Sequence, residues 1–341
     1  KSGLLGWGTK IRMGLEWFRK PPVNPPEDRS VAEFVAEHYG QEAVDYLAEP
    51  LLSGIYGGDP SRLSVGSVLP RFVELEAKYG SLTKGVLHAR KKAAQQAKGM
   101  PLFQTLKSGL GQLTDVLSEK AAPVVIHGEA EAVERQDAAY RVRVDGAWIE
   151  ADQVVLACQA YEAGAVVRPV DPDLAALLGA VEYSSSITIS IGYDRAKLGY
   201  LPNGFGFLVP KRERRRMMAC TFIGTKFSHR IPDDKVVMRC FVGGQDEAPL
   251  ALSDETLAGE IREELREILG VTAEPSFVRI SRWPRSMAQY TVGHARRMAH
   301  VEARIAHLPG LYVAGNAYTG IGVPDCVRMG KSAADKIAAG G

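Results

Sequence analysis

The sequence predicts a mixed α/β fold, and three observations carry the prediction. Near the C-terminus an apolar strand, Leu311 to Ala314, runs into a loop carrying Gly315, Gly320 and Gly322 and then into a helix that opens at Val323-Pro324. Between Ser185 and Val242 the segments SITISIGY, FGFLVP and VVMRCFVG alternate apolar and polar residues, the period-two pattern of an antiparallel sheet with one covered face. After them Leu257, Ile261, Leu265 and Ile268 recur at helical spacing between Ser253, an N-cap residue, and Gly270, a C-terminal stop.

The remaining elements follow from the same rules in chain order. Ser30 with Glu33 forms a capping box ahead of a helix that places Val31, Phe34 and Val35 on one face, and a second helix continues through Val44, Tyr46 and Leu47. A β-rich section begins at Pro123. In it YRVRV and AWIEA are joined by Asp145-Gly146, a dipeptide suited to a type I′ hairpin turn. Val154 to Ala157 is a short apolar run that fits a buried parallel strand. The basic run Lys211 to Arg216 caps a solvated hairpin between Phe207–Val209 and Met217–Phe222.

The glycine loop is the first candidate site. At a strand-to-helix turn the first backbone N–H groups of the helix have no partner within it, and glycines let a ligand approach closely. Such a turn suits a phosphate or the pyrimidine edge of a flavin, although the same turn also occurs without any ligand. Upstream stand Arg282-Trp283, Gln289-Tyr290 and Gly293-His294, followed by Pro309 to Leu311 and Gly315-Asn316. Two further blocks are LLSGIYGGDPSRLSV, Leu51 to Val65, and TLKSGLGQLTDVL, Thr105 to Leu117.

In this order, from about Pro25 to Ile337, these segments resemble the flavin-dependent porphyrinogen oxidases of haem synthesis, within the amine-oxidase-like flavoproteins. The resemblance implies an incomplete Rossmann-like FAD-binding domain, at 109–170 and 281–341, interleaved with a substrate domain of antiparallel sheet and helices at 1–108 and 171–280. It implies FAD held by Gly315, Asn316, Gly320, Ile321, Gly322 and Val323, with Trp283 near the isoalloxazine and Ala130 where a valine often flanks the adenine. It also implies that Gly54 offers its backbone to the substrate while Leu208 and Phe222 sandwich the ring. The plainer reading of these last two is core packing. The chemistry implied is removal of hydrogen from a porphyrinogen in two-electron steps with dioxygen as acceptor, protoporphyrinogen IX first and coproporphyrinogen III as the alternative. His294 reads as a structural donor rather than a catalytic base, and no Ser-His-Asp or Cys-His set stands out.

One feature of that family has no counterpart here. Its members begin with a strand, a G-x-G-x-x-G turn and a helix, whereas Gly204 with Gly206, and Gly109 with Gly111, lack the third glycine and the buried strand before it. The expectation is therefore a C-terminal portion of a longer enzyme, inactive and poorly flavinated alone. A flavin amine oxidase, or a non-catalytic porphyrin-binding fragment, stays open beside the oxidase reading.

Composition narrows the field. With 45% hydrophobic and 24% charged residues over 341, the chain can bury a large core, and a net charge of +2 argues against a nucleic-acid protein. Cys158, Cys220, Cys240 and Cys326 are widely spaced and read as buried free thiols in a reducing cytoplasm. No C-x-x-C or paired His spacing points to a metal. Trp7, Met13, Leu15, Trp17 and Phe18, with Lys10, Arg12, Arg19 and Lys20, could make a peripheral contact with the inner face of a membrane, or a helix facing a core. A homodimer is compatible with all of this.

Overall fold

The computed structural model describes residues 3–96, 104–121, 125–137, 139–244 and 246–340. Helices dominate the first part. α1 (Trp7–Leu15) is followed by α2 (Val31–Tyr39), whose capping box is formed: Ser30 Oγ accepts from Glu33 N–H at 3.1 Å while the Glu33 carboxylate accepts from Ser30 N–H at 2.8 Å. A short α3 (Gln41–Ala43) passes through one wider turn into α4 (Glu49–Tyr56), which ends at Gly57 in the left-handed conformation. α5 (Val65–Val68), α6 (Pro70–Tyr79), α7 (Leu82–Gln96) and α8 (Gly111–Ala121) complete this part.

The exposed apolar residues of α1 and the turn after it, Trp7, Ile11, Leu15 and Phe18, face no core. Two of the four cations expected to accompany them at a membrane are engaged elsewhere. Arg12 donates to the Ala36 carbonyl at 2.8 Å and Arg19 to that of Glu37 at 2.7 Å, fastening this segment to the end of α2. Beneath it the buried Glu16 carboxylate accepts from Leu82 N–H and Ser81 Oγ and meets His38, whose other ring nitrogen faces Glu76 at 3.0 Å. Among the described residues no helix is long and apolar enough to cross a membrane.

Pro123, the expected start of the β-rich section, lies outside the described residues, and the first strand starts at Ala130. β1 (Ala130–Gln136), β2 (Ala139–Val144) and β3 (Ala147–Ala151) form an antiparallel sheet. Its β2–β3 turn has positive φ at both Asp145 (47°) and Gly146 (80°), the type I′ geometry. β4 (Val154–Leu156) pairs in parallel with Leu311–Val313, and α9 (Ala160–Val167) and α10 (Pro172–Gly179) follow it.

A five-stranded antiparallel sheet comes next, in the order β6-β7-β8-β5-β9. Its strands are β5 (Glu182–Asp194), β6 (Gly206–Leu208), β7 (Met217–Phe222), β8 (Lys235–Gly244) and β9 (Phe277–Gln289), with α11 (Ile223–Lys226) and α12 (Asp254–Leu269) inserted between them. The alternation is realised on one face, where Ile187, Ile189, Ile191, Met238, Cys240 and Val242 are fully buried against Leu257, Ile261 and Leu265 of α12. Ile268, the fourth expected member of the α12 stripe, is exposed. The basic run after β6 is neutralised locally: Arg216 pairs with Glu260 at 2.9 Å and Arg215 with Glu267, both on α12.

The chain ends with α13 (His294–Ile305), β10 (Leu311–Val313) and α14 (Val323–Gly340). A second core joins α2, β1, β2, β4, α9, α10, α13 and β10. The expected boundaries at 170/171 and 280/281 thus fall within packed units, since α10 packs with α9 and α13, and β9 belongs to the large sheet up to Gln289. Only Cys220 and Cys240 are buried. Cys158 is exposed and Cys326 half-buried, because each stands in a loop or first helical turn beside the glycine loop rather than in a strand interior.

Candidate functional site

Residues 315–322 follow β10 and are held by side chains from the end of β9 and the start of α13. Tyr290 Oη donates to the Asn316 carbonyl at 2.8 Å and accepts from Gly320 N–H at 2.9 Å. His294, stacked on the Tyr290 ring at 3.9 Å, donates from Nε2 to the Tyr318 carbonyl at 2.9 Å. Asn316 Nδ2 donates to the Ser286 carbonyl at 3.2 Å. Three loop carbonyls or amides are thereby satisfied by one Gln-Tyr…Gly-His segment, which gives those motif residues a structural task. His294 Nδ1 is buried without a partner, and burial pushes the imidazole pKa below its ordinary value, so the ring is the neutral Nε2–H tautomer.

The loop fits a nucleotide-type cofactor on its own geometry. Gly315 (φ 141°) and Gly320 (φ 144°) hold backbone conformations that L side chains rarely adopt, and a Cβ on Gly320 would lie 2.4 Å from Asp325 Cγ. Ala314, Gly320 and Gly322 N–H groups are spent inside the protein, on Leu156 O, Tyr290 Oη and Asp325 Oδ2. Ile321 and Val323 N–H groups have no acceptor among the described residues and stand at the N-terminus of α14, where the helix dipole adds positive potential. The Tyr318 hydroxyl is buried and unpartnered beneath the loop.

Gln289 ties this region to α4. Its Nε2 donates to the Tyr56 carbonyl at 2.7 Å and to Ser184 Oγ at 2.9 Å, and a Cβ on Gly58 would come within 2.2 Å of its Oε1. α4 consequently meets one border of the face that α12 leaves open, at Leu208 and Met287. Gly54 sits inside α4 with ordinary helical torsions, so close approach and not a positive φ explains it: a Cβ there would meet Leu208 Cδ2 at 3.3 Å.

Leu208 and Phe222, expected to sandwich the substrate ring, stand on opposite faces of the large sheet. Leu208 is exposed on the uncovered face, but Phe222 is buried on the other, beside Phe207 in the core under α12. The two side chains point to opposite faces because β6 and β7 pair with Leu208 opposite Ala219 and Phe207 opposite Cys220. Trp283 lies on the uncovered face, half-exposed, with Nε1 at 3.5 Å from Thr188 Oγ1 and three residues before Ser286, the partner of Asn316. Ala130 is at the exposed start of β1, and no hydrogen bond links it to the loop. Gln289 and Tyr290 were visible in the sequence as a dipeptide, yet nothing local tells that the amide will fix α4 and the phenol the loop after β10.

The fold and this loop define a flavoprotein of the oxidoreductase type. The chain belongs to the flavin-containing amine oxidoreductase family, whose model matches residues 2–338. It is 31% identical over 340 residues to a protein of Bacillus subtilis (strain 168) named coproporphyrinogen III oxidase, covering 97% of this chain and 72% of that one. It is 26% identical to a mitochondrial protoporphyrinogen oxidase of Nicotiana tabacum, across 99% of this chain and 74% of the relative. A crystal structure from Exiguobacterium sp. 255-15 with the provisional name protoporphyrinogen oxidase superposes with a TM-score of 0.82 at 32% identity, covering 99% of this chain and 74% of that one. The chain is therefore an oxidoreductase of this flavin family, similar to porphyrinogen oxidases. Among the described residues no group of three or more His, Cys, Asp or Glu side chains is placed to hold a metal.

Proposed function

We propose that the chain oxidises a porphyrinogen with FAD as cofactor, coproporphyrinogen III being the favoured substrate and protoporphyrinogen IX the alternative. The observation that carries the reading is the placement of the glycine loop beside the uncovered face of the large sheet, in a chain similar over nearly its whole length to proteins named coproporphyrinogen III oxidase. Bound FAD would accept two electrons from the substrate in each step and pass them to dioxygen.

The chain's own residues supply position and exclusion of water. Ile321 and Val323 N–H groups, with the α14 dipole, would hold electron-rich atoms of the cofactor, and the glycines let it come close to the backbone. Trp283 and Leu208 give apolar walls on the sheet, and α4 closes on Leu208 at Gly54. His294 is not poised as a base, since its unprotonated Nδ1 is buried and its Nε2–H is held by the Tyr318 carbonyl. Positioning then carries the rate. Tyr318 is buried, so it offers no exposed aromatic beside Thr319 of the kind an amine oxidase needs against its flavin.

The test is porphyrin fluorescence growing in from each porphyrinogen with FAD-loaded protein, beside an amine oxidation assay. A higher kcat/KM for coproporphyrinogen III supports the proposal. A preference for protoporphyrinogen IX reverses the substrate assignment, and turnover of amines alone overturns the reading.

A further inference from the structure

The register of the large sheet places two arginines in one row on its uncovered face. Arg239 of β8 and Arg279 of β9 both lie opposite Ser190 of β5, one on each side. With strands about 4.8 Å apart the two backbones stand about 10 Å from one another. Both residues are exposed, and Arg239 Nε approaches Ser190 Oγ at 3.5 Å. Among the described residues neither guanidinium has a carboxylate partner, although Arg282, three positions further along β9 and on the other face, pairs with Asp254. The next rows toward the glycine loop carry Phe241, Thr188 and Ser281, then Ser186 and Trp283, and no acidic side chain stands in any of them.

Two exposed cations flanking a neutral serine, with no carboxylate beside either, give that row a positive potential that attracts an anion. A guanidinium presents its donors as a fork matched to a carboxylate. Trp283 lies four residues from Arg279 on the same face, about 13 Å along the strand. The face thus carries Phe241 and Trp283 among small neutral hydroxyl side chains toward the loop and cations at its far end. That polarity fits a macrocycle whose oxidisable bridge faces the cofactor while the two propionates of its far edge reach the cations.

We infer that Arg239 and Arg279 form the carboxylate-binding end of a substrate-binding sheet face, with Ser190 as the hydroxyl donor between them. The inference rests on the porphyrinogen reading above. It makes the arginine pair a site for two neighbouring propionates on one edge of the macrocycle, a feature that both substrates carry.

Fluorescence titration with coproporphyrin III, which has four carboxylates, and with its uncharged tetramethyl ester tests it without turnover. Arg239→Gln and Arg279→Gln should each weaken binding of the acid about tenfold, the usual worth of one charge-assisted contact. Ester binding should stay unchanged, and Arg239→Lys should fall between wild type and Arg239→Gln. Unaltered urea midpoints would show that the variants fold. Equal acid affinity in wild type and both Gln variants, or parallel losses for acid and ester, overturns the inference while leaving the porphyrinogen reading intact. A wild-type chain that binds neither porphyrin overturns both.

Discussion

β9 carries Arg279 near its beginning and Gln289 at its end, and the two ends of this one strand meet very different surroundings. At the Gln289 end, Tyr290, His294 and Ser286 hold the glycine loop through four hydrogen bonds of 2.8–3.2 Å, and Gln289 itself fixes α4. At the Arg279 end the side chains are exposed, and Arg239 and Ser190 approach at no better than 3.5 Å. The first region is organised before any ligand arrives. In the second, charge is presented without partners. Rigid placement of the cofactor edge beside an unsatisfied substrate surface is what positioning chemistry requires.

The strongest test of that contrast removes the loop's anchor. Tyr290→Ala should destabilise the protein by about 3–5 kcal/mol, the range for deleting a buried aromatic ring, read as a lower urea midpoint. It should also abolish retention of added FAD on a desalting column. A loss under about 1 kcal/mol would mean that Tyr290 does not organise the loop.

Gly320→Ala comes next. It forces a side chain into φ 144° and against Asp325, and should cost about 1–3 kcal/mol in the same assay. Unchanged stability would show that the loop relaxes freely, and the contrast with the sheet face would vanish.

His294 sharpens the comparison through pH. Burial depresses its folded pKa, so the unfolded chain takes up a proton first. The stability that neutral His294 contributes is full above about pH 6.5, the ordinary histidine value, and is lost as the pH falls through the lower folded pKa. His294→Gln should flatten that part of the urea-midpoint profile between pH 7 and 5, and an unchanged slope would place the titration elsewhere.

The smallest effect belongs to the uncovered face. Thr188→Val, which removes only a long contact to Trp283, should leave stability within about 0.5 kcal/mol of wild type, as expected of a surface change. A loss of 2 kcal/mol or more, on the order of a broken buried contact, would show the face to be packed structure rather than a free surface.

Much of the fold was legible because its signals are local. The Ser30–Glu33 box, the Asp145-Gly146 turn, the parallel strand at Val154 and the strand–loop–helix around Gly315 each depend on neighbours within a few residues, and each is present. The pairing of Leu208 with Phe222 was not legible. Both sit in alternating segments, but which parity faces α12 depends on register with a strand far away in sequence.

What the sequence determined by itself is the type and order of elements, the loop's need for glycine, and likeness to a family, since torsional preference and hydrophobic period are properties of short stretches. Only the tertiary structure decided that Tyr290 and His294 hold the loop, that Gly54 is tight against Leu208, and that Arg239 and Arg279 share a row across Ser190. Those contacts join residues 24 to 154 positions apart in the chain, and which of them form is set by strand register and by the packing of helices over the two faces of a sheet.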